Sequence, residues 1–312
     1  MADLRCDLKG ISLTNPTVLA SGVVGTTAHV MAQVAANGAG AITSKSASLK
    51  PRTGHPNPIV VDGIASGWFL NAVGLSNPGI AEKAEEIKRY RELSKTPIIA
   101  SIFASTAKEF GDAAQAIALA KPDAIELNES CPNVENEFGR PFCTSEADAA
   151  KAVEQARNLT PKNIPIFAKL SPETHSIEQV ASACVQAGAD GITAVNTAGP
   201  GMAIDIGQAR PILANKFGGL SGPALKPIAI KCVYKIHAAL PEVPIIGTGG
   251  VFTGQDAIEM MMAGASAVGI GTAVYPRGIK VFGEVAKEMA QWMDDNGYSS
   301  ASQLVGKAHE KG

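Results

Sequence analysis

The chain has 312 residues, 46% hydrophobic and 18% charged, with 32 glycines. That is the balance of a globular protein with a large core and many tight turns, not of a disordered or fibrous one. A formal net charge of −2 gives no reason to expect nucleic acid as a partner. Five widely spaced cysteines form no Cys-x-x-Cys pair, and five histidines show no metal-binding spacing. A disulfide framework is not expected, and no metal is expected either.

At the amino terminus, Met1 to Cys6 carry charges where a signal peptide needs an apolar run. No stretch reaches 18 uncharged apolar residues, so a cytoplasmic protein without a membrane segment is expected. Residues 4–13 alternate about Lys9-Gly10, as a small hairpin does. Apolar, strand-like runs follow at 17–20, 41–44, 98–102, 124–127, 166–170, 191–195, 244–247 and 267–270. Helical patterns lie between and after them, at 28–37, 80–93, 107–119, 145–158, 177–187, 224–239, 254–262 and 281–293. Eight strands, each followed by a helix, predict a closed (β/α)8 TIM barrel, one domain over residues 1–312. An open doubly wound sheet would want Gly-x-Gly-x-x-Gly after its first strand, which Ser21-Gly22-Val23-Val24-Gly25 does not supply.

Three connections, 45–78, 128–144 and 196–223, are too long for simple turns and leave the carboxyl ends of strands, where barrel active sites are built. They read as lid loops. The strand ends themselves carry Ser21-Gly22, Lys45, Ser101, Asn128, Lys169, Asn196, Gly249-Gly250 and Gly271-Thr272. Two Lys and two Asn on one rim are costly to bury unless a ligand or partner satisfies them. The glycine pairs after strands seven and eight suit a phosphate, which backbone N–H groups and a following helix start would hold. That phosphate could belong to a flavin mononucleotide or to a sugar-phosphate substrate. Lys45 and Lys169 could stabilise a reduced flavin or an enolate. Each could instead merely pair with a carboxylate such as Asp205 or Glu173.

Most of the polarity is concentrated in Asn128-Glu129-Ser130-Cys131-Pro132-Asn133. A thiol between two amides just past a strand end suits chemistry, but it could also be an incidental Cys in a polar turn. Cys6, Cys184 and Cys232 fall in hairpin or helix patterns and read as packing residues. Cys143, beside Pro141 and Phe142, reads as a structural anchor, and His55 and His175 as ordinary loop residues.

With these residues in view, the chain resembles the class 1 dihydroorotate dehydrogenases. The resemblance rests on Ser44-Lys45-Ser46, Asn71-Ala72-Val73-Gly74-Leu75, Asn128-x-Ser130-Cys131-Pro132-Asn133-Val134 and Lys169-Leu170-Ser171-Pro172. Val195-Asn196-Thr197, Gly218-Gly219-Leu220-Ser221-Gly222-Pro223 and the two glycine pairs complete it. Asn-Ala-Val-Gly-Leu, Gly-Leu-Ser-Gly-Pro and the Asn-Thr pair look closer to the NAD-linked subclass 1B catalytic subunit than to the fumarate-linked one. The resemblance implies FMN held by Ser21, Lys45, Ser46, Ser101, Asn128, Lys169, Val195, Gly222, Gly249, Gly250, Gly271 and Thr272. It implies dihydroorotate and orotate contacted by Lys45, Asn71, Ala72, Val73, Gly74, Leu75, Asn128, Asn133, Asn196 and Thr197, with Cys131 as catalytic base.

It further implies a separate FAD and iron–sulfur electron-transfer subunit, with assembly as a homodimer or heterotetramer. Glu129 departs from the family's usual apolar residue; its carboxylate is expected either in solvent or against the flavin. A dihydropyrimidine dehydrogenase-like FMN enzyme, a non-redox barrel lyase or isomerase, and a catalytically idle binding protein are the competing expectations.

Overall fold

In the computed structural model, which describes residues 2–130 and 141–310, eight parallel strands close into a barrel. In chain order they are Thr17–Leu19, Ala41–Thr43, Ile98–Ile102, Ala124–Asn128, Ile166–Leu170, Gly191–Ala194, Ile245–Thr248 and Ala267–Ile270. Each pairs with the next, and the eighth returns to the first. The strands are buried on both faces by the barrel interior and the surrounding helices, which explains their nearly unbroken apolar runs.

Register decides what points inward. Ser101 pairs with Glu126, Glu126 with Phe167, and Thr193 with Lys169, so these side chains share the inner face. Toward the amino-terminal end the interior is apolar: Val18, Ala41, Ile99, Ala124, Phe167, Ile246 and Ala267 form one cluster. Two positions further along each strand the interior turns polar, at Ser101, Glu126, Lys169 and Thr193.

The amino-terminal hairpin, Cys6–Leu8 with Ile11–Leu13, closes the apolar end. Lys9 and Gly10 both take positive φ (57° and 88°), the demand of a two-residue hairpin turn, and the Gly10 amide donates to Asp7 Oδ1 at 2.8 Å. Leu8 and Leu13 are thereby driven into the inner apolar cluster.

At the opposite end two of the long connections, 45–78 and 196–223, carry strands of their own. Val60–Gly63, Trp68–Asn71, Gly218–Ser221 and Ala198–Gly201 form a four-stranded antiparallel sheet. Gly219 makes this possible: a Cβ there would run into the Thr197 side chain, so only glycine lets the sheet lie against the residues after strand six. No helix among the described residues is long and apolar enough to cross a membrane.

Candidate active site

Between the barrel rim and this small sheet lies a cleft of about 1210 Å3, counted to its open mouth. Ser21, Lys45, Ser46, Asn128, Lys169, Val195, Gly222, Gly249, Gly250, Gly271 and Thr272 all line it. So do Asn71, Val73, Gly74, Leu75, Asn196 and Thr197, which places the residues expected to hold cofactor and substrate around one space. Gly74 and Leu75 both adopt left-handed backbone (φ 73° and 58°), a costly turn for a leucine that points to a constrained segment.

Two of the expected residues do not line the cleft. Ser101 is fully buried beneath the floor, with its hydroxyl engaged by Ser46 Oγ (2.8 Å) and Glu126 Oε1 (2.9 Å). Ala72 is fully buried behind the cleft; its amide donates to Ile59 O, and its carbonyl lies 3.2 Å from His55 Nδ1. Both support the wall without lining it, because the alternation that turns Asn71 and Val73 toward the cleft turns Ala72 away. Cys131 and Asn133 lie outside the described residues.

The cleft floor is a hydrogen-bonded web. Asn128 Nδ2 donates to Ser46 Oγ at 3.2 Å, while Asn128 Oδ1 accepts from Ser130 Oγ at 3.0 Å. Asn196 Nδ2 donates to Ser130 Oγ at 2.9 Å, and Asn196 Oδ1 accepts the Thr197 amide at 2.8 Å. Thr272 Oγ1 donates to Ser221 Oγ at 2.9 Å, tying the eighth strand's end to the covering sheet.

Lys169 Nζ donates to Ser21 Oγ at 2.9 Å and sits 3.7 Å from Glu126 Oε1, with both charged side chains almost fully buried. Glu126, not Glu173 or Asp205, is the carboxylate facing Lys169. Glu173 accepts the Gly199 amide, and Asp205 accepts amides of its own turn. A second buried lysine, Lys83, donates to the Thr26 carbonyl at 2.7 Å and ties down the segment following strand one. Burial pushes its ammonium down to about 8, with Glu86 opposing and the Lys45 charge reinforcing that drop.

The glycine turns differ from expectation in one respect. Gly249 and Gly250 have the positive φ (129° and 75°) that only glycine adopts readily, but the helix beyond them begins at Gly254 and is already capped. Thr253 Oγ1 accepts the Asp256 amide, and Asp256 Oδ2 accepts the amides of Phe252 and Thr253. After strand eight the helix is a single turn, Val274–Arg277. After strand seven an anion would therefore be held by the glycine backbone and not by a free helix start.

Glu129 faces neither solvent nor the cleft, contrary to both expectations. The residue after inward-facing Asn128 points outward, into the layer between barrel and helices, where Glu129 is fully buried. Cys184 Sγ approaches Oε2 at 4.0 Å, and Oε1 has no hydrogen-bond partner among the described residues. Burial raises the carboxyl well above its ordinary range. It also pushes the neighbouring Cys143 thiol up to about 12, the state of an inert packing thiol rather than a base. Among the described residues no group of three or more His, Cys, Asp and Glu side chains is placed to hold a metal ion.

Glu126, Phe69 and Tyr275 were not anticipated at the site. Glu126 was legible, since it stands two residues before Asn128 and so shares its face. Phe69 and Tyr275 line the cleft with their rings tilted 36° and centroids 4.8 Å apart, a pairing between distant segments that carries no local signal.

The family description "Dihydroorotate dehydrogenase" matches residues 3–293. Among curated relatives, the "Dihydroorotate dehydrogenase B (NAD(+)), catalytic subunit" of Methanosarcina mazei is 44% identical over 311 residues, covering 98% of this chain and 96% of the relative. The protein of the same name from Methanocaldococcus jannaschii is 45% identical, with 98% of each chain covered. Its namesake in Geobacter sulfurreducens is 40% identical, with 97% of each covered. Likeness of this extent, over a barrel whose cleft gathers the motif residues in one place, makes the chain a member of the dihydroorotate dehydrogenase family.

Proposed function

We propose that this chain, acting as one FMN-binding domain, oxidises (S)-dihydroorotate to orotate in pyrimidine biosynthesis as the catalytic subunit of an NAD-linked enzyme. The observation that carries the reading is the convergence of Lys45, Lys169, Asn128, Asn196 and two glycine turns on one cleft. The site's chemistry fits FMN. Gly22, Gly249 and Gly250 present side-chain-free backbone, and the cleft pairs a cation with amide and hydroxyl groups. Ser21, Lys45, Ser46, Asn128, Lys169, Val195, Gly222, Gly249, Gly250, Gly271 and Thr272 would hold it. Bound there, FMN supplies the two-electron acceptor for the hydride that leaves C6 of the substrate.

The remaining chemistry belongs to the protein. Asn71, Asn128, Asn133 and Asn196 can each donate to and accept from a ring imide, which fixes the pyrimidine flat. Lys45 meets the substrate carboxylate. Cys131, as its thiolate, takes the C5 proton onto Sγ as the C5–H bond breaks; C5 is acidified by the adjacent carbonyl, and the ordinary thiol pKa of about 8.5 makes a thiolate attainable near neutral pH. Electrons then pass to a separate subunit carrying FAD and an iron–sulfur cluster. Exposed apolar side chains near the lid support such docking, among them Tyr275 at the mouth (57% exposed) and Ile206 (94% exposed).

Anaerobic mixing of FMN-loaded protein with dihydroorotate tests the assignment: the flavin absorption should bleach. In Cys131→Ala, FMN should stay bound while bleaching slows by orders of magnitude, about 10²- to 10⁴-fold for loss of a general base. Bleaching with dihydrouracil instead of dihydroorotate would move the enzyme to the dihydropyrimidine dehydrogenases. Protein that stays colourless with added FMN would end the flavin reading.

A further inference from the structure

We propose that Glu126 is a positioning residue for the cleft: its buried carboxylate sets the direction of the hydrogen bonds orienting Ser46, Asn128 and Asn196, and balances the Lys169 charge. The proposal rests on the reading of the cleft as an FMN site.

Glu126 lies inside the barrel, only 2% exposed, one layer beneath the cleft floor. An ionised carboxylate can only accept, so the Ser101 hydroxyl, 2.9 Å away, must donate to it. Ser101 has a single proton. Its 2.8 Å contact with Ser46 Oγ must then be donated by Ser46, which leaves Ser46 only lone pairs for Asn128. Asn128 therefore turns Nδ2 toward Ser46 and Oδ1 toward Ser130 and Asn196. Asn196 in turn presents Nδ2 to that cluster and keeps Oδ1 for the Thr197 amide. Whether these amides offer a donor or an acceptor to a ligand is thus settled by a side chain that no ligand touches.

The same carboxylate stands 3.7 Å from the Lys169 ammonium, the cation that Ser21 holds at the rim. A paired ammonium favours an anionic reduced flavin less than a bare one would, because the carboxylate opposes added negative charge across a poorly screened interior. Glu126 accordingly holds the flavin potential down. Thr193, opposite Lys169 in the ladder, has a buried hydroxyl without a partner among the described residues, so no second acceptor there replaces Glu126.

Potentiometric titration of FMN-loaded Glu126→Gln tests the charge. At fixed ambient potential the ratio of reduced to oxidised flavin should rise at least tenfold, a midpoint about 30 mV higher for a two-electron couple. Glu126→Asp keeps the charge and should stay within threefold of wild type.

Ser101→Ala tests the directionality and covers the case in which Glu126→Gln does not fold. It cuts Ser46 loose while sparing the ion pair, so orotate binding to the oxidised protein, read from flavin absorption, should weaken about tenfold with the midpoint unmoved. The inference is overturned if the Gln midpoint matches wild type, if Asp shifts as far as Gln, or if Ser101→Ala binds orotate as tightly as wild type. A wild-type chain that takes up no FMN would remove the reading underneath along with it, whereas a flavin-loaded wild type with an unshifted Gln variant would sink this inference alone.

Discussion

At the scale of single residues, Glu129 has the clearest thermodynamic consequence. Burial raises its carboxyl well above the ordinary range in the fold, a shift the unfolded chain lacks. Between the ordinary carboxyl pKa and the raised folded value, the folded state binds one more proton than the unfolded state. Stability from this group is therefore full at acid pH and falls as pH rises, by about 1.4 kcal/mol per pH unit inside that window. Glu129→Gln removes the titration, and urea melts across pH 5–8 should show a correspondingly flatter dependence than wild type. Equal slopes would mean that the carboxyl finds a partner that keeps it ionised. The sequence alone marked Glu129 as unusual but left its side open, whereas Lys169 and Asn128 could be placed on the rim from the strand ends alone. Glu126 was overlooked because it reads as one charge within an apolar run; counting back by two from Asn128 would have found it.

Among elements, the barrel strands are legible because length and apolarity coincide: residues 98–102, 166–170 and 267–270 are strands just as their patterns predict. Strand seven starts one residue later than expected, after Pro244, which lacks the N–H a ladder needs. The covering sheet was not legible. Its strands Ala198–Gly201 and Gly218–Ser221 are rich in glycine, poor in β-branched residues, and pair across long separations in the chain. Gly219→Ala should expose this dependence. The new methyl would displace the Thr197 side chain from the cleft wall, and losing one hydrogen bond to substrate should raise the KM for dihydroorotate about 5- to 10-fold. FMN content should stay at the wild-type level; loss of FMN instead would show that the sheet seats the cofactor rather than the substrate.

On the scale of the whole molecule, the two ends of the barrel divide the labour, with an apolar plug at one and a polar cleft at the other. The proposed electron-transfer partner would dock at the cleft end, where Ile206 stands almost fully exposed on the turn between Ile204–Asp205 and Arg210–Pro211. Ile206→Asp should weaken capture of that partner by about tenfold, a typical loss of somewhat over 1 kcal/mol for a buried apolar anchor. Turnover with a small dye as acceptor should stay within twofold of wild type. Equal loss in both assays would place Ile206 in the folding of the lid instead.

Side chains fill the barrel beneath the cleft, and the hairpin's Leu8 and Leu13 pack against that filling, so the site is a cup rather than a pipe. Traffic is one-ended: orotate must back out along the path by which dihydroorotate came in. A partner that docked over the mouth to collect electrons would therefore also stand in the doorway, and would have to leave a gap or come and go.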